Sequence, residues 1–368
     1  MDLTRLRPVF EHDGPYLTVH AEVGRGSESA KAELEARWTT IRHELEGLGL
    51  PARLVDDIDE RLHENPHAPG EVRHTIVAAG EDVLLDDIQV GHSHWPEVLD
   101  QSDLPDLTGW LGLEDRAIPF LVVTVDRTGA DIDVHRALSK PAAEHETVTG
   151  ETFYITKVPQ GDWAQKQFQQ TAEDSWRDNA REVADAVRSL ARTHRPRAVF
   201  VAGEVRARAQ VTRALEEHDP GPLGQVIQLE SGGRGAGASL EAMRHEIHTK
   251  VAELERASDA SVAAELDRVR GQGAGGATGI QEVLDALAQH QVDRLVIDPN
   301  ALRDKVVRPK DHAGLALPPK AAEADRLPAD RALVAAAALS GAEISLLPSS
   351  MSHGGGAAAL LRWTEPPG

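Results

Sequence analysis

The sequence predicts an α/β protein of three domains, and three observations carry that expectation. Short β-rich runs alternate with long stretches whose apolar residues recur at helical spacing. Two segments rich in turn-forming residues, 95–112 and 231–237, interrupt the alternation and read as boundaries. At 368 residues the chain is long enough for two or three domains of ordinary size. The expected limits are 1–113, 114–235 and 236–368.

In the first region, Tyr16-Leu17-Thr18-Val19-His20 alternates as a strand does. Ala32, Leu34, Trp38, Ile41 and Leu45 mark a helix over 28–48, stopped by Gly47, Gly49 and Pro51. A shorter helix over 52–63 follows, then a hairpin of 75–80 and 83–86. In the second region, the runs 120–126 and 130–136 form a hairpin about Arg127-Thr128-Gly129. A polar stretch over 140–157 precedes a long helix over 165–194, with Phe168, Ala172, Trp176, Ala180, Val183, Val187 and Leu190 on one face. Strand 198–203, helix 204–215 and strand 225–229 complete that region. In the third, a helical stretch over 240–269 is expected to break near Ser258, and a glycine-rich turn leads to helix 280–290 and strand 294–298. Residues 299–329 read as a surface insertion. An alanine-rich helix, the strand 343–347, the turn Ser352-His353-Gly354-Gly355-Gly356 and an apolar strand ending in Leu361-Arg362-Trp363 close the chain.

Composition narrows the function. There is no cysteine, so disulfides, thiolate chemistry and most zinc sites are excluded. No apolar run is long enough to cross a membrane and Met1-Asp2-Leu3-Thr4-Arg5 opens no signal peptide, so a cytoplasmic protein is expected. The net charge of −21 opposes a simple nucleic-acid binder, because phosphate contacts need Lys and Arg. The acidity is uneven, however: residues 1–113 carry 23 acids and 9 bases, against 19 and 16 in residues 114–238. The densest basic neighbourhood is Arg188, Arg192, His194, Arg195, Arg197, Arg206, Arg208 and Arg213. Guanidinium groups suit RNA phosphates, although the nearby Glu182, Asp185 and Glu204 fit an ordinary salt-bridged helix surface equally well.

Four other patterns carry weaker signals. Asp126, Asp131 and Asp133 invite a two-metal nuclease reading, but solvent-facing acids alternate on a strand in the same way. Gly271-Gln272-Gly273-Ala274-Gly275-Gly276 fits a dinucleotide pattern, yet it follows helical residues rather than a strand. Gly232 to Gly237 lacks the Lys-Ser/Thr ending of a P-loop, and His92 and His94 have no third ligand in view. No cofactor and no metal are expected.

The C-terminal order of helix, short strand, glycine turn and final Leu-Arg-aromatic strand resembles the C-terminal domain of archaeo-eukaryotic class-1 release factors and Pelota. The segment Ala277-Thr278-Gly279-Ile280-Gln281-Glu282 with Val292 to Asp298 resembles the same domain, and the 120–136 hairpin with strand 198–203 resembles the family's middle domain. The resemblance implies an RNase H-like middle domain and a small α/β release-factor-like C-terminal domain. It is strongest for the bacterial branch that includes the Balon-type ribosome hibernation factors of actinobacteria.

Catalytic members of the family carry Gly-Gly-Gln between the hairpin and the long helix. That interval here contains Lys157, Gln160, Gly161, Trp163, Gln165 and Lys166, and Gly-Gly-Gln occurs nowhere in the chain; the family's codon-reading Asn-Ile-Lys-Ser motif is absent too. The resemblance therefore implies a noncatalytic factor in the A site of idle or stalled 70S ribosomes, touching rRNA, with elongation factor Tu as a co-binding partner. No DNA or membrane partner is expected. The alternatives are a rescue peptidyl-tRNA hydrolase using Gln160 or Gln165, and a stress-related protein that keeps the fold but binds other proteins. The RNA-binding candidates are the six residues of that interval with Arg188, Arg192, Arg195, Arg197, Arg206 and Arg208.

Overall fold

The computed structural model describes residues 1–24, 28–63, 72–90, 95–126, 128–137, 142–149, 162–217, 223–233, 239–273, 275–351 and 354–363; side chains of 28–34 and 162–176 are outside that description. The first third holds α1 (Arg7–Phe10), β1 (Tyr16–Glu22), α2 (Glu28–Gly47), α3 (Ala52–His63), β2 (Val72–Ala79), β3 (Asp82–Val90), β4 (Val98–Ser102) and α4 (Thr108–Glu114). Its strands form an antiparallel sheet in the order β3-β2-β1-β4. The period-two alternation of β1 feeds two cores. Leu17 and Val19 meet Trp38, Leu45, Ile58 and Leu62 of α2 and α3, whereas Tyr16 faces a core with Leu3, Phe10 and Trp110. The segment 95–112, expected to be a boundary, instead contributes β4 and most of α4, because its Leu104, Leu107, Trp110 and Leu111 are all buried.

The middle third holds β5 (Phe120–Asp126), β6 (Gly129–His135), β7 (Glu144–Thr149), α5 (Asp162–His194), β8 (Ala198–Gly203), α6 (Val205–Glu216) and β9 (Gln225–Gln228). The sheet order is β7-β6-β5-β8-β9. β6 is antiparallel to both β5 and β7, and β8 is parallel to both β5 and β9. This is the strand order expected of an RNase H-like domain. The apolar runs of β5 and β8 are buried on both faces: Leu121, Val123, Val199 and Val201 pack on α5 and α6, while Phe120, Val122 and Phe200 pack on Ile247 and Val251. β7 lies in the stretch read from the sequence as polar; an edge strand with exposed Glu144, His145 and Thr147 has little hydrophobic signal.

The last third holds α7 (Leu240–Gln272), β10 (Gly276–Thr278), α8 (Ile280–Ala288), β11 (Val292–Ile297), α9 (Pro299–Leu302), β12 (Val306–Val307), α10 (Pro319–Glu323), β13 (Leu327–Pro328), α11 (Ala329–Ser340), β14 (Glu343–Leu346) and β15 (Ala357–Leu361). A mixed sheet runs in the order β10-β15-β11-β14, and β12 pairs with β13. α11 is buried along most of its length, which its small alanines permit, and Gly341 ends it in the left-handed conformation at φ 68°. Two expectations change here. α7 runs unbroken through Ser258, since Ser and Asp within a helix cost only a few tenths of a kcal/mol to roughly 0.7 kcal/mol each. Residues 299–329 are no surface insertion, for Leu302, Val307, Ala321 and Leu327 enter the core.

By contact the chain divides into two compact units, Met1–Arg116 with Arg256–Gly368, and Ala117–Glu255. Within the first unit the N-terminal and C-terminal sheets share one core, from Leu3 and Trp110 through Leu284 and Leu333 to Ile344. Ile344 also exchanges hydrogen bonds with Met1, at 2.9 Å from its N–H and 2.7 Å to its carbonyl. Each of the three expected domains thus holds one main sheet, and their limits at 1–113, 114–235 and 236–368 stand as proposals.

Candidate nucleic-acid interface

The middle sheet has two chemically different ends. β5, β7, β8 and β9 all run the same way, so Asp126, Thr149, Gly203 and Gln228 mark the carboxyl edge. Phe120, Glu144, Ala198 and Gln225 mark the amino edge. α5 returns from the first to the second: Asn179 and Ala180 lie beside Val125, Asp126 and Glu204, and the ring Nε2 of His194 sits 2.9 Å from a carboxylate oxygen of Glu144.

α5 is far longer than the sheet needs. Among the residues whose side chains are described, its contacts with the middle core run from Ala180 to Ala191; about 17 residues of helix before Asn179, roughly 25 Å, lead into the carboxyl edge, where Asn179 sits. Trp163, Gln165 and Lys166 lie in the first turn and a half of that stretch; their side chains, and all of Lys157, Gln160 and Gly161, lie outside the described residues.

The six arginines that adjoin one another in sequence separate in space. Arg188 is largely buried, donating to the carbonyls of Ala214 at 2.5 Å and Leu215 at 3.4 Å and to Asp185 at 3.2 Å. It thereby satisfies carbonyls left free at the end of α6. Arg208 donates to the carbonyl of Leu229 and ties α6 to the residue after β9. Arg206 is exposed in the first turn of α6, at the carboxyl edge. Arg192, Arg195 and Arg197 are exposed at the amino edge, around the α5–β8 connection. Linear proximity had hidden this division, because one strand of β8 length, roughly 20 Å, separates the two ends.

The acidic trio is also dispersed among ordinary partners. Asp126 accepts from the N–H and hydroxyl of Thr128, both at 2.7 Å. Asp133 bonds the ring of His145 at 2.7 Å, and Asp131 accepts from the hydroxyl of Thr147 at 3.1 Å. The bond from Asp133, with its charge, raises the pKa of His145 above the usual imidazole value. Among the described residues no group of three or more His, Asp or Glu side chains is placed to hold a metal ion, and no helix is long and apolar enough to cross a membrane.

Sequence reasoning missed a cleft at the carboxyl edge, lined by Asp126, Asn179, Glu204, Arg206 and Gln210 over a floor that includes Val183 and Val211. The available signal was that Asp126 and Glu204 each follow a buried parallel strand, where ligand clefts of α/β sheets form. It also missed Arg136, an exposed residue at the amino edge just past β6.

Residues 119–272 match the family described as bacterial archaeo-eukaryotic release factor family 2. That match spans the middle sheet, its covering helices and α7. An uncharacterized protein of Mycobacterium tuberculosis, Rv2629 of strain H37Rv, is 28% identical over 295 residues, spanning 80% of this chain and 77% of its own. Among solved structures, the archaeal translation termination factor aRF1 is 16% identical with a TM-score of 0.26, over 98% of this chain and 97% of its own. Archaeoglobus fulgidus Pelota is 15% identical with a TM-score of 0.34, over 98% and 92%. The ribosome-bound archaeal Pelota with ABCE1 is 16% identical with a TM-score of 0.40, over 98% and 93%. At these TM-scores the likenesses carry no argument of their own.

Proposed function

We propose that the protein is a noncatalytic, ribosome-binding translation factor that occupies the A site of idle or stalled 70S ribosomes and protects them. The observation that carries this reading is the length of α5: a release-factor-type middle domain keeps its reaching helix while the chain lacks Gly-Gly-Gln. Hydrolysis of a peptidyl-tRNA ester needs a water held against the carbonyl, and glycines that let the backbone approach it. An arm without that tripeptide contacts the peptidyl-transferase region and leaves the ester intact. The arm's contacts are Lys157, Gln160, Gly161, Trp163, Gln165 and Lys166. Arg192, Arg195, Arg197 and Arg206, which form no ion pair among the described residues, are available for rRNA phosphates, whereas Arg188 and Arg208 are engaged with backbone carbonyls. The acidic N-terminal region, held to the C-terminal one, faces protein or solvent, and elongation factor Tu is a partner for delivery.

Chemical probing of large-subunit rRNA in vacant 70S ribosomes, run beside a peptide-release assay on loaded ribosomes, tests this. The expected result is protection on the A-site side of the peptidyl-transferase region with no peptide released. Release that disappears in Gln160→Ala or Gln165→Ala would replace this reading with the rescue hydrolase. Absence of any protection would remove the A-site assignment.

A further inference from the structure

The amino edge of the middle sheet gathers arginines from three separate places in the fold. Arg136 follows β6, whose His135 stands opposite Phe120, and Phe120 stands opposite Ala198. Arg197 directly precedes Ala198, and its own N–H bonds the carbonyl of Pro119 at 2.7 Å. Arg136 and Arg197 therefore flank β5 at the same edge, about 10 Å apart by the spacing of neighbouring strands. Arg192 lies in the last turn of α5 and Arg195 just beyond it. His194, between them, reaches Glu144 of β7, which is paired with Val134, two residues before Arg136. All four arginines are exposed, and among the described residues none of them forms a side-chain ion pair. Glu144, at this edge, is engaged by His194, and Glu217, just past α6, by Arg213 at 2.7 Å.

Arg195 adds a conformational observation. It adopts the left-handed backbone at φ 46°, immediately after α5, with its N–H closing the helix on the carbonyl of Ala191 at 2.8 Å. That is the position glycine ordinarily takes, because a Cβ makes the conformation unfavourable. Only one other described non-glycine residue, His290, has a positive φ. A strained cap occupied by a charged, exposed and unpaired side chain points to a use outside the fold.

We infer that Arg136, Arg192, Arg195 and Arg197 form a second RNA-contacting surface, one that grips the sugar–phosphate backbone and is separate from the arm. Along α5 the distance from Trp163 to Arg192 is roughly 45 Å. The helix thus acts as a rigid spacer between the contact at its tip and the phosphate grip at its root. The spacer role rests on the ribosome-binding reading above; the phosphate grip stands independently of it.

The test measures the affinity of the full chain for protein-free large-subunit rRNA across a salt series. It compares the wild type with the combined Arg136→Gln, Arg192→Gln, Arg195→Gln and Arg197→Gln variant, the single Arg195→Gly variant, and Arg213→Gln as an exposed but ion-paired control. The combined variant is expected to bind at least about tenfold more weakly and to lower the slope of log affinity against log salt by about 3. Arg195→Gly is expected to melt at a higher temperature than the wild type and still bind RNA more weakly, a combination that a purely structural arginine would not produce. Arg213→Gln is expected to bind as the wild type does. Unchanged affinity and slope in the combined variant, or failure of the wild type to bind this RNA, would overturn the inference. Ribosome binding measured in parallel separates the readings: retained ribosome binding with an unchanged rRNA slope removes only the phosphate grip, and loss of rRNA affinity in a chain that never bound ribosomes removes only the A-site assignment.

Discussion

The guanidinium of Arg188 donates to the carbonyl of Ala214 at 2.5 Å, so α5 supplies the cap that the end of α6 lacks in its own sequence. A residue expected from sequence to meet RNA is thereby committed to joining two helices. Arg188→Ala should lower unfolding free energy by about 2 kcal/mol, the range for a charge-assisted bond to a half-buried carbonyl. Chemical denaturation checks the value, and rRNA affinity of the folded fraction should not change.

Arg331 makes the corresponding link in the other unit. From α11 it donates to Asp100 at 2.5 Å, to Ser102 at 2.7 Å and to Asp106 at 3.1 Å, with its side chain only 15% exposed. Removing one partner of such a network leaves two carboxylates poorly compensated. Arg331→Ala should cost about 3 kcal/mol. Because the N-terminal and C-terminal sheets share a core, that unit should still unfold in a single transition, followed by circular dichroism in urea. Two transitions would contradict the shared core.

His20 gives the stability of the first unit a pH dependence. Burial, followed by the charge of Arg73, lowers its pKa to about 4 from the ordinary 6.5, with Asp106 acting weakly the other way. Its Nδ1 meets the hydroxyl of Thr75 at 2.8 Å, and Gly109 of α4 lies against the ring. In the unfolded chain the imidazole takes a proton near pH 6.5, whereas in the folded protein it does so only near pH 4. The unfolded state therefore binds more protons within that window, and stability falls as pH drops through it. The contribution is complete above pH 6.5 and amounts to about 3 kcal/mol across the window. The measurement is the stability difference between the wild type and His20→Gln from pH 7 to pH 4, which should shift against the wild type by that amount. A difference independent of pH would show that His20 titrates normally.

Gly203 ends β8 at φ 122°, and a Cβ there would stand 1.9 Å from the carbonyl oxygen of Val125. Gly203→Ala must push β5 and β8 apart at the carboxyl edge, beside the Asp126 and Glu204 cleft. A loss on the order of 3 kcal/mol is expected from the strain and overpacking together, read as a lowered melting temperature.

Much of this architecture was legible from residue patterns. The apolar runs of β5 and β8 and the helical stripe Val183, Val187 and Leu190 appear where their side chains predict them. What escaped has physical causes. β4 and α4 sit among Pro, Asp and Gly residues that mimic a linker, and only tertiary burial of Trp110 and Leu111 shows otherwise. β7 is an exposed edge strand whose hydrogen bonds, rather than its side chains, define it. For the site, sequence reasoning found a basic stretch but could not divide it, since Arg188 and Arg192 differ by one helical turn and yet one is half-buried and bonded to α6 and the other exposed. Arg136 was invisible because β6 brings it to the amino edge from a distant part of the chain.

Cosedimentation of the full chain with vacant 70S ribosomes from a related bacterium, with and without elongation factor Tu and across a salt series, decides whether this is a ribosome-binding factor. Binding is expected at low salt and should weaken steeply as salt rises, because phosphate contacts release counterions. Failure to bind vacant, stalled or factor-loaded ribosomes even at low salt would contradict it, leaving a release-factor fold put to another use.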